Sequence, residues 1–195
     1  MTIEIAEAVA GDRLAIDFMD DLARKNGHCV GFLPRVAYDQ AVQKQRVKVL
    51  FVNNAPAGYV IHGPFKTTTK IYQLVIAEDL RRIEYGTALV DAVRKGANGA
   101  QAEELSLHCA SDLEANTFWQ ALGFELAGER WKDKSRRRWQ NRYSQILPGL
   151  ALRLLRQKAI VDQKRLGNLA RLLKGNNITL GSLLDKPHNQ PARRP

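Results

Sequence analysis

The hydrophobic and polar positions divide the chain into short elements, and the densest apolar run is Ile71-Tyr72-Gln73-Leu74-Val75-Ile76-Ala77. A run this nearly unbroken predicts a strand buried on both faces. Upstream, residues 2–6 alternate as a short edge strand. Asp12 is placed to cap a helix with Leu14, Phe18 and Leu22 on one face, stopped at Asn26-Gly27. Pro34 opens a second helix carrying Val36, Tyr38 and Val42. Residues 47–52 and 58–62 read as strands, joined by a turn at Asn53-Asn54-Ala55-Pro56. After the central run comes a polar corner, Glu78-Asp79-Leu80-Arg81-Arg82. Gly86 then begins a helix with Tyr85, Leu89, Ala92 and Val93 as its apolar positions. In residues 104–109, Leu105, Leu107 and Cys109 face one way, and Ser106 and His108 the other. Ser111-x-x-Glu114 is a capping box that starts a helix with Ala115, Phe118, Trp119 and Leu122 on one face. Residues 124–131 and 139–146 are the last two strands. Pattern alone predicts a mixed α/β fold.

Beyond Pro148 the pattern changes to leucines interleaved with Lys and Arg. It predicts one or two basic amphipathic helices over 148–186, broken near Gly167 or Gly175, and a disordered tail at 187–195. The main domain is therefore expected at 1–147. Residues 131–195 hold sixteen Lys/Arg against three Asp, whereas residues 1–130 hold fourteen against seventeen acids. The net charge of +10 thus belongs to the C-terminal third, which suggests an anionic partner there. No apolar run reaches the length of a membrane span, and the N-terminus lacks a signal peptide's basic start. Two cysteines make no disulfide framework. The expected setting is cytoplasmic, with no membrane partner.

A buried strand that runs through a basic turn into a glycine-containing helix start suits a phosphate, because main-chain N–H groups and the helix dipole face the anion. The segment Arg81-x-x-Glu84-x-Gly86-Thr87-Ala88-Leu89 resembles the acetyl-CoA loop of the GNAT N-acetyltransferases, Arg/Gln-x-x-Gly-x-Gly/Ala. Ala115-Asn116-Thr117-Phe118-Trp119-Gln120-Ala121-Leu122-Gly123-Phe124 resembles that family's last core helix. The resemblance covers roughly residues 1–147. It implies a mixed, mostly antiparallel sheet flanked by helices, with acetyl-CoA as cofactor and a primary amine as acceptor. It also implies that Leu74, Val75 and Ile76 offer main-chain groups to the pantetheine arm where two strands part. Arg81, Arg82, Gly86 and Thr87 would hold the pyrophosphate, and Asn116 and Trp119 would face the same cofactor. Two departures stand out. Glu84 occupies the place of the motif's first glycine, and Trp119 the place where many relatives carry a tyrosine that protonates the leaving thiolate.

A general base near the parted strands would take the amine's proton. Glu78 and His108 are the leading candidates, followed by His62, Tyr72, Tyr143 and Ser111. The pairs His28-Cys29 and His108-Cys109 invite a metal reading, but His108 and Cys109 are strand neighbours that point to opposite faces, and no metal is expected. Lys132, Lys134, Arg136, Arg137, Arg138 and Arg142, interleaved with Trp131, Trp139 and Tyr143, form a basic segment with stacking partners. Together with the basic helices, residues 130–174 are the expected surface for RNA, DNA or an acidic protein, and their leucines equally suit a second subunit. The expected activity is acetyl transfer to an amine by direct attack in a ternary complex. The alternatives are an acceptor borne on or bound to nucleic acid, and a catalytically degenerate binding module of the same fold.

Overall fold

The computed structural model describes residues 2–31, 33–128, 131–133 and 138–175. Lys134, Arg136, Arg137 and the tail expected at 187–195 lie outside the described residues. In chain order the elements are β1 (Ile3–Glu7), α1 (Arg13–Lys25), α2 (Arg35–Gln43), β2 (Val47–Val52), β3 (Ala55–His62) and β4 (Thr68–Ile76). A one-turn 3-10 helix (Glu78–Leu80) leads to α3 (Tyr85–Gly99) and β5 (Glu104–Ala110). Then follow α4 (Ala115–Ala121), β6 (Glu125–Leu126), β7 (Trp131–Asp133), β8 (Arg138–Ile146) and α5 (Pro148–Gly175). Among the described residues the strands form one sheet, ordered β1-β2-β3-β4-β5-β8-β6, with β7 also on β8. β4 and β5 run parallel, and the remaining pairs are antiparallel.

Local chemistry explains most of these boundaries. The Asp12 carboxylate accepts from the Ala15 N–H at 3.0 Å and caps α1. The buried face of α1 is Ala15, Ile16, Met19, Leu22 and Ala23, while Leu14 is 82% exposed. Two apolar stripes compete on this helix, and packing selects the one that Leu14 does not share. Asn53 and Asn54 both take positive φ, +49° and +66°, so the hairpin turn is two residues and β3 starts at Ala55, earlier than expected. The strand expected over 124–131 is divided into β6 and β7, each paired to β8. α5 passes through Gly167 without the expected break, since one glycine costs a helix only about 1 kcal/mol.

The sheet has a core on each face. Under α3 and α4 lie Leu50, Val60, Ile71, Leu89, Val93, Leu105 and Trp119; under α1 and α2 lie Met19, Tyr38, Val42, Val49, Tyr59 and Val75. Gln73 is the polar centre of the second core. Its Oε1 accepts from the Tyr59 hydroxyl at 2.8 Å and the Tyr38 hydroxyl at 3.4 Å, and its Nε2 donates to the Gly31 carbonyl at 2.9 Å. The chain divides into two compact units, Met1–Ala151 and Leu152–Pro195. In the described part of the second, Leu152, Leu154, Leu155, Ile160 and Val161 of α5 are exposed. No helix among the described residues is long and apolar enough to cross a membrane.

His62, the last residue of β3, is 1% exposed and stacks on Phe65 with ring centroids 4.6 Å apart. Its Nδ1–H donates to the Gly63 carbonyl at 2.7 Å, and Nε2 is buried without a partner among the described residues. Burial holds its pKa below the ordinary value. The unfolded chain therefore binds the proton more readily, and stability rises with pH in the window below about 6.5. Urea midpoints measured at pH 7.5 and pH 5 are expected to fall on acidification. The fall should be smaller in His62→Leu, and an unchanged fall would show that His62 is not its source.

Candidate active site

The site starts from a defect in β4. Its ladder with β3 steps from Gln73↔Ile61 to Ile71↔His62, so Tyr72 is an extra residue on β4, a β-bulge. A bulge bends its strand and ends regular pairing. The parallel ladder between β4 and β5 ends at this place: it runs from Thr68↔Glu104 to Ile71↔Leu107. β4 then continues to Ile76 and β5 to Ala110 with no further pairing between them. The two strands part and leave a gap with its vertex at Tyr72.

Alternation along β4 tells which main-chain groups line the gap. The Ala77 N–H donates to the Ala57 carbonyl at 2.9 Å. Two residues back, Val75 therefore bonds to β3 opposite Tyr59, while Leu74 and Ile76 present their N–H and C=O to the gap. Of the three residues expected to serve here, Val75 is turned the other way by strand geometry.

Above the gap, the 3-10 turn carries Glu78 past the end of β4, exposed and six residues along the chain from Tyr72 at the vertex. The expected phosphate cations behave differently from one another. Arg81 is tied into the fold: Nε donates to the Ile76 carbonyl at 3.2 Å, and Nη2 bonds the side chain of Asn26 at the end of α1. It holds the turn in place. Arg82 takes a left-handed φ of +63° and is exposed, with Glu114 at 3.5 Å. Glu84 also takes a positive φ, +61°, immediately before α3. That conformation, easy for glycine and strained for other residues, is what the motif's first glycine supplies. The Glu84 side chain is exposed and makes no cap hydrogen bond. Gly86 and Thr87 lie in the first turn of α3. A Cβ on Gly86 would come within 3.1 Å of the Phe118 ring, so its small size also serves the contact between α3 and α4.

On α4, Asn116 is a joint for three elements. Its Nδ2 donates to the carbonyls of Ala110 (2.8 Å) and Leu113 (2.6 Å). Its Oδ1 accepts from Asn141 (2.9 Å) and the Tyr143 hydroxyl (3.0 Å). Both amide hydrogens and both lone pairs are thus in use within the fold, which gives Asn116 an anchoring role. Trp119 is 6% exposed, set edge-on between Phe118 and Phe124 at 4.9 and 5.4 Å, and belongs to the core.

His108 lies one residue beyond the last β4–β5 pair, on the sheet face away from α3. Partial burial, then the charges of Lys70 and Arg142, hold its pKa below the ordinary value, so the imidazole is neutral at pH 7. Cys109, next along, points into the core, where burial pushes its thiol up to about 11 and away from thiolate chemistry.

Three anchors pin the loop after α1. Asn26 bonds Arg81 of the turn, Gly31 accepts from Gln73 of β4, and the His28 carbonyl accepts from Arg138 of β8 at 2.8 Å. Arg138 also grips Asp112 at 2.7 Å and draws its carboxyl below the usual range. Arg138 is thereby committed inside the fold, not displayed as part of a basic patch. The bulge at Tyr72 and the anchors Gln73, Asn26 and Arg138 escape sequence reasoning. A glutamine inside an apolar run was the one available signal.

A parted pair of strands leading to a helix N-terminus is the arrangement the chain builds, and comparison assigns its family. The chain belongs to the GNAT acetyltransferases, since residues 23–137 match the family described as an acetyltransferase (GNAT) domain. No curated protein matches it by sequence. Among solved structures, Ard1 from Thermoplasma volcanium superimposes with a TM-score of 0.67 at 18% identity, over 75% of this chain and 99% of that one. The ribosomal-protein-S18-alanine N-acetyltransferase from Escherichia coli gives 0.61 at 14% identity, over 74% and 94%. N-acetylglutamate synthase from Neisseria gonorrhoeae, complexed with coenzyme A and N-acetyl-glutamate, gives 0.61 at 17% identity over 75% of this chain. The present chain spans 35% of that synthase. These likenesses establish the fold.

Proposed function

We propose that this protein transfers an acetyl group from acetyl-CoA to a primary amine by direct attack within a ternary complex. The observation that carries the reading is the gap between β4 and β5, open from the Tyr72 bulge upward and ending on the first turn of α3. The residues present fit the cofactor. Leu74 and Ile76 offer N–H groups, and Leu74 a carbonyl, to an extended arm. The N–H groups at the start of α3 receive the pyrophosphate, aided by Arg82. From Ile76 to the bulge the strand covers roughly 13 Å, so an arm anchored above reaches the vertex beside His108.

When bound, acetyl-CoA supplies the thioester whose carbonyl carbon the amine attacks. His108, neutral at pH 7, accepts the proton that the amine nitrogen releases as the C–N bond forms and the C–S bond breaks. The indole of Trp119 is no acid of useful strength, so it would not supply the proton for a departing thiolate, which would come from water or another group. Glu78 sits at the phosphate end and has no part in this step. Glu84 keeps the left-handed backbone that the motif's glycine supplies, which favours an enzyme over a degenerate binding module.

Calorimetric titration with coenzyme A tests the first half of the reading. Saturable binding is expected, weakened about ten-fold in Arg81→Ala, where the turn loses charge-assisted bonds to Asn26 and Ile76. Absence of binding at millimolar coenzyme A would overturn the proposal.

A further inference from the structure

The sheet face that carries His108 is unusual in its charge. Lys70 pairs with Ser106 on β5, which sets it on the same face as His108 two residues on, and Arg142 lies directly opposite His108 on β8. Glu104 answers Arg142 at 3.5 Å and also accepts from the Thr68 hydroxyl at 3.3 Å. Among the described residues, no carboxylate comes within ion-pair distance of Lys70. Its ammonium instead lies over the Tyr72 ring, 5.6 Å from the centroid. Partial burial and the charge of Arg142 hold the Lys70 pKa below its ordinary value. A half-buried cation beside a second cation is costly, and an incoming anion relieves that cost.

We propose that the acceptor amine carries an anionic group, a carboxylate or a phosphate, which Lys70 binds at the vertex of the gap so that the amine nitrogen is presented to His108. This inference rests on the acetyl-transfer reading above, and it names the class of acceptor. Tyr72 forms the floor under the Lys70 ammonium: two residues apart on one strand, they share a face, beside the bulge. Glu104, held by Arg142 and Thr68, keeps the second cation partly neutralised, so Lys70 is the group that reads the acceptor. A neutral amine of the same shape would leave the Lys70 charge uncompensated.

Two independent measurements test it. In the first, thioester consumption is compared for 3-aminopropanoate against 3-aminopropanamide, and for O-phosphoethanolamine against ethanolamine. The acidic member of at least one pair is expected to have a KM lower by about ten-fold or more. That ratio should collapse to within about two-fold in Lys70→Met and return in Lys70→Arg. Equal use of both members, or a preference for the neutral ones, overturns the inference while leaving acetyl transfer standing. In the second, succinate and inorganic phosphate are titrated separately, and the His108 ring resonance, assigned by its loss in His108→Gln, is followed by NMR. A saturable shift in the wild type, absent in Lys70→Met, is expected for the anion whose chemistry matches the preferred amine. No shift with either anion, or a shift that survives in Lys70→Met, overturns the inference. Should the anion bind at Lys70 while no amine consumes thioester, the acetyl-transfer reading fails and the anion site remains.

Discussion

Exchanging His108 for glutamine is expected to lower kcat for acetyl transfer by about 10²- to 10⁴-fold, the range typical of a lost general base. Coenzyme A affinity should stay within about two-fold, because the proposed cofactor contacts run along Leu74, Ile76 and α3 and leave the imidazole out. The pH profile is the sharper test. With its pKa held below 6.5 by burial and by Lys70 and Arg142, His108 is in its base form at neutral pH, and wild-type activity should fall as pH drops through that lower value. In the glutamine variant this acid limb should disappear along with most of the rate. Steady-state rates from pH 5 to 8 would show it. A variant that keeps its rate within a few-fold, or keeps the limb, removes His108 from the mechanism and leaves water as the proton acceptor.

The second large effect concerns Glu84. The residue combines a left-handed backbone, costing roughly 1 kcal/mol or more for a side chain with a Cβ, with a carboxylate one residue ahead of the turn proposed to hold pyrophosphate. Glu84→Gly should raise the melting temperature by about 2–4 °C, somewhat offset by glycine's greater freedom in the unfolded chain. It should also tighten coenzyme A binding by about ten-fold at low salt, since one negative charge beside the proposed diphosphate site is removed. Glu84→Gln separates the two causes. It loses the charge and keeps the Cβ, so it should reproduce the gain in affinity without the gain in stability. The affinity gain should shrink as salt is added. If glutamine binds coenzyme A no better than glutamate does, the carboxylate lies clear of the diphosphate and backbone strain is its whole effect.

These expectations divide unevenly between what could be read along the chain and what could not. The central strand, the glycine-bearing start of α3 and the alternation that puts His108 opposite Leu107 are local patterns, and local patterns survive folding because strand pleat and helix pitch are properties of the backbone. The α1 face depends on more than its own pattern. Leu14, Phe18 and Leu22 make a valid helical stripe, yet Leu14 is left outside because a neighbouring stripe meets the sheet better. Arg81, Asn116 and Trp119 have partners inside the fold that no local pattern reveals. Each residue type suits both a ligand and a protein partner, and the partners came from distant segments: Asn26 for Arg81, Asn141 and Tyr143 for Asn116, Phe124 for Trp119.

By itself the sequence determined the kinds and order of most elements, the family motif around Gly86, and the concentration of basic charge after residue 130, all of which depend on neighbours in the chain. Tertiary structure alone decided that β4 bulges at Tyr72, that the ladder to β5 ends there, and that Lys70, His108 and Arg142 share one face beside the opening. Such features arise from the register between strands, where a single extra residue turns side chains over and ends hydrogen bonding between partners more than thirty positions apart.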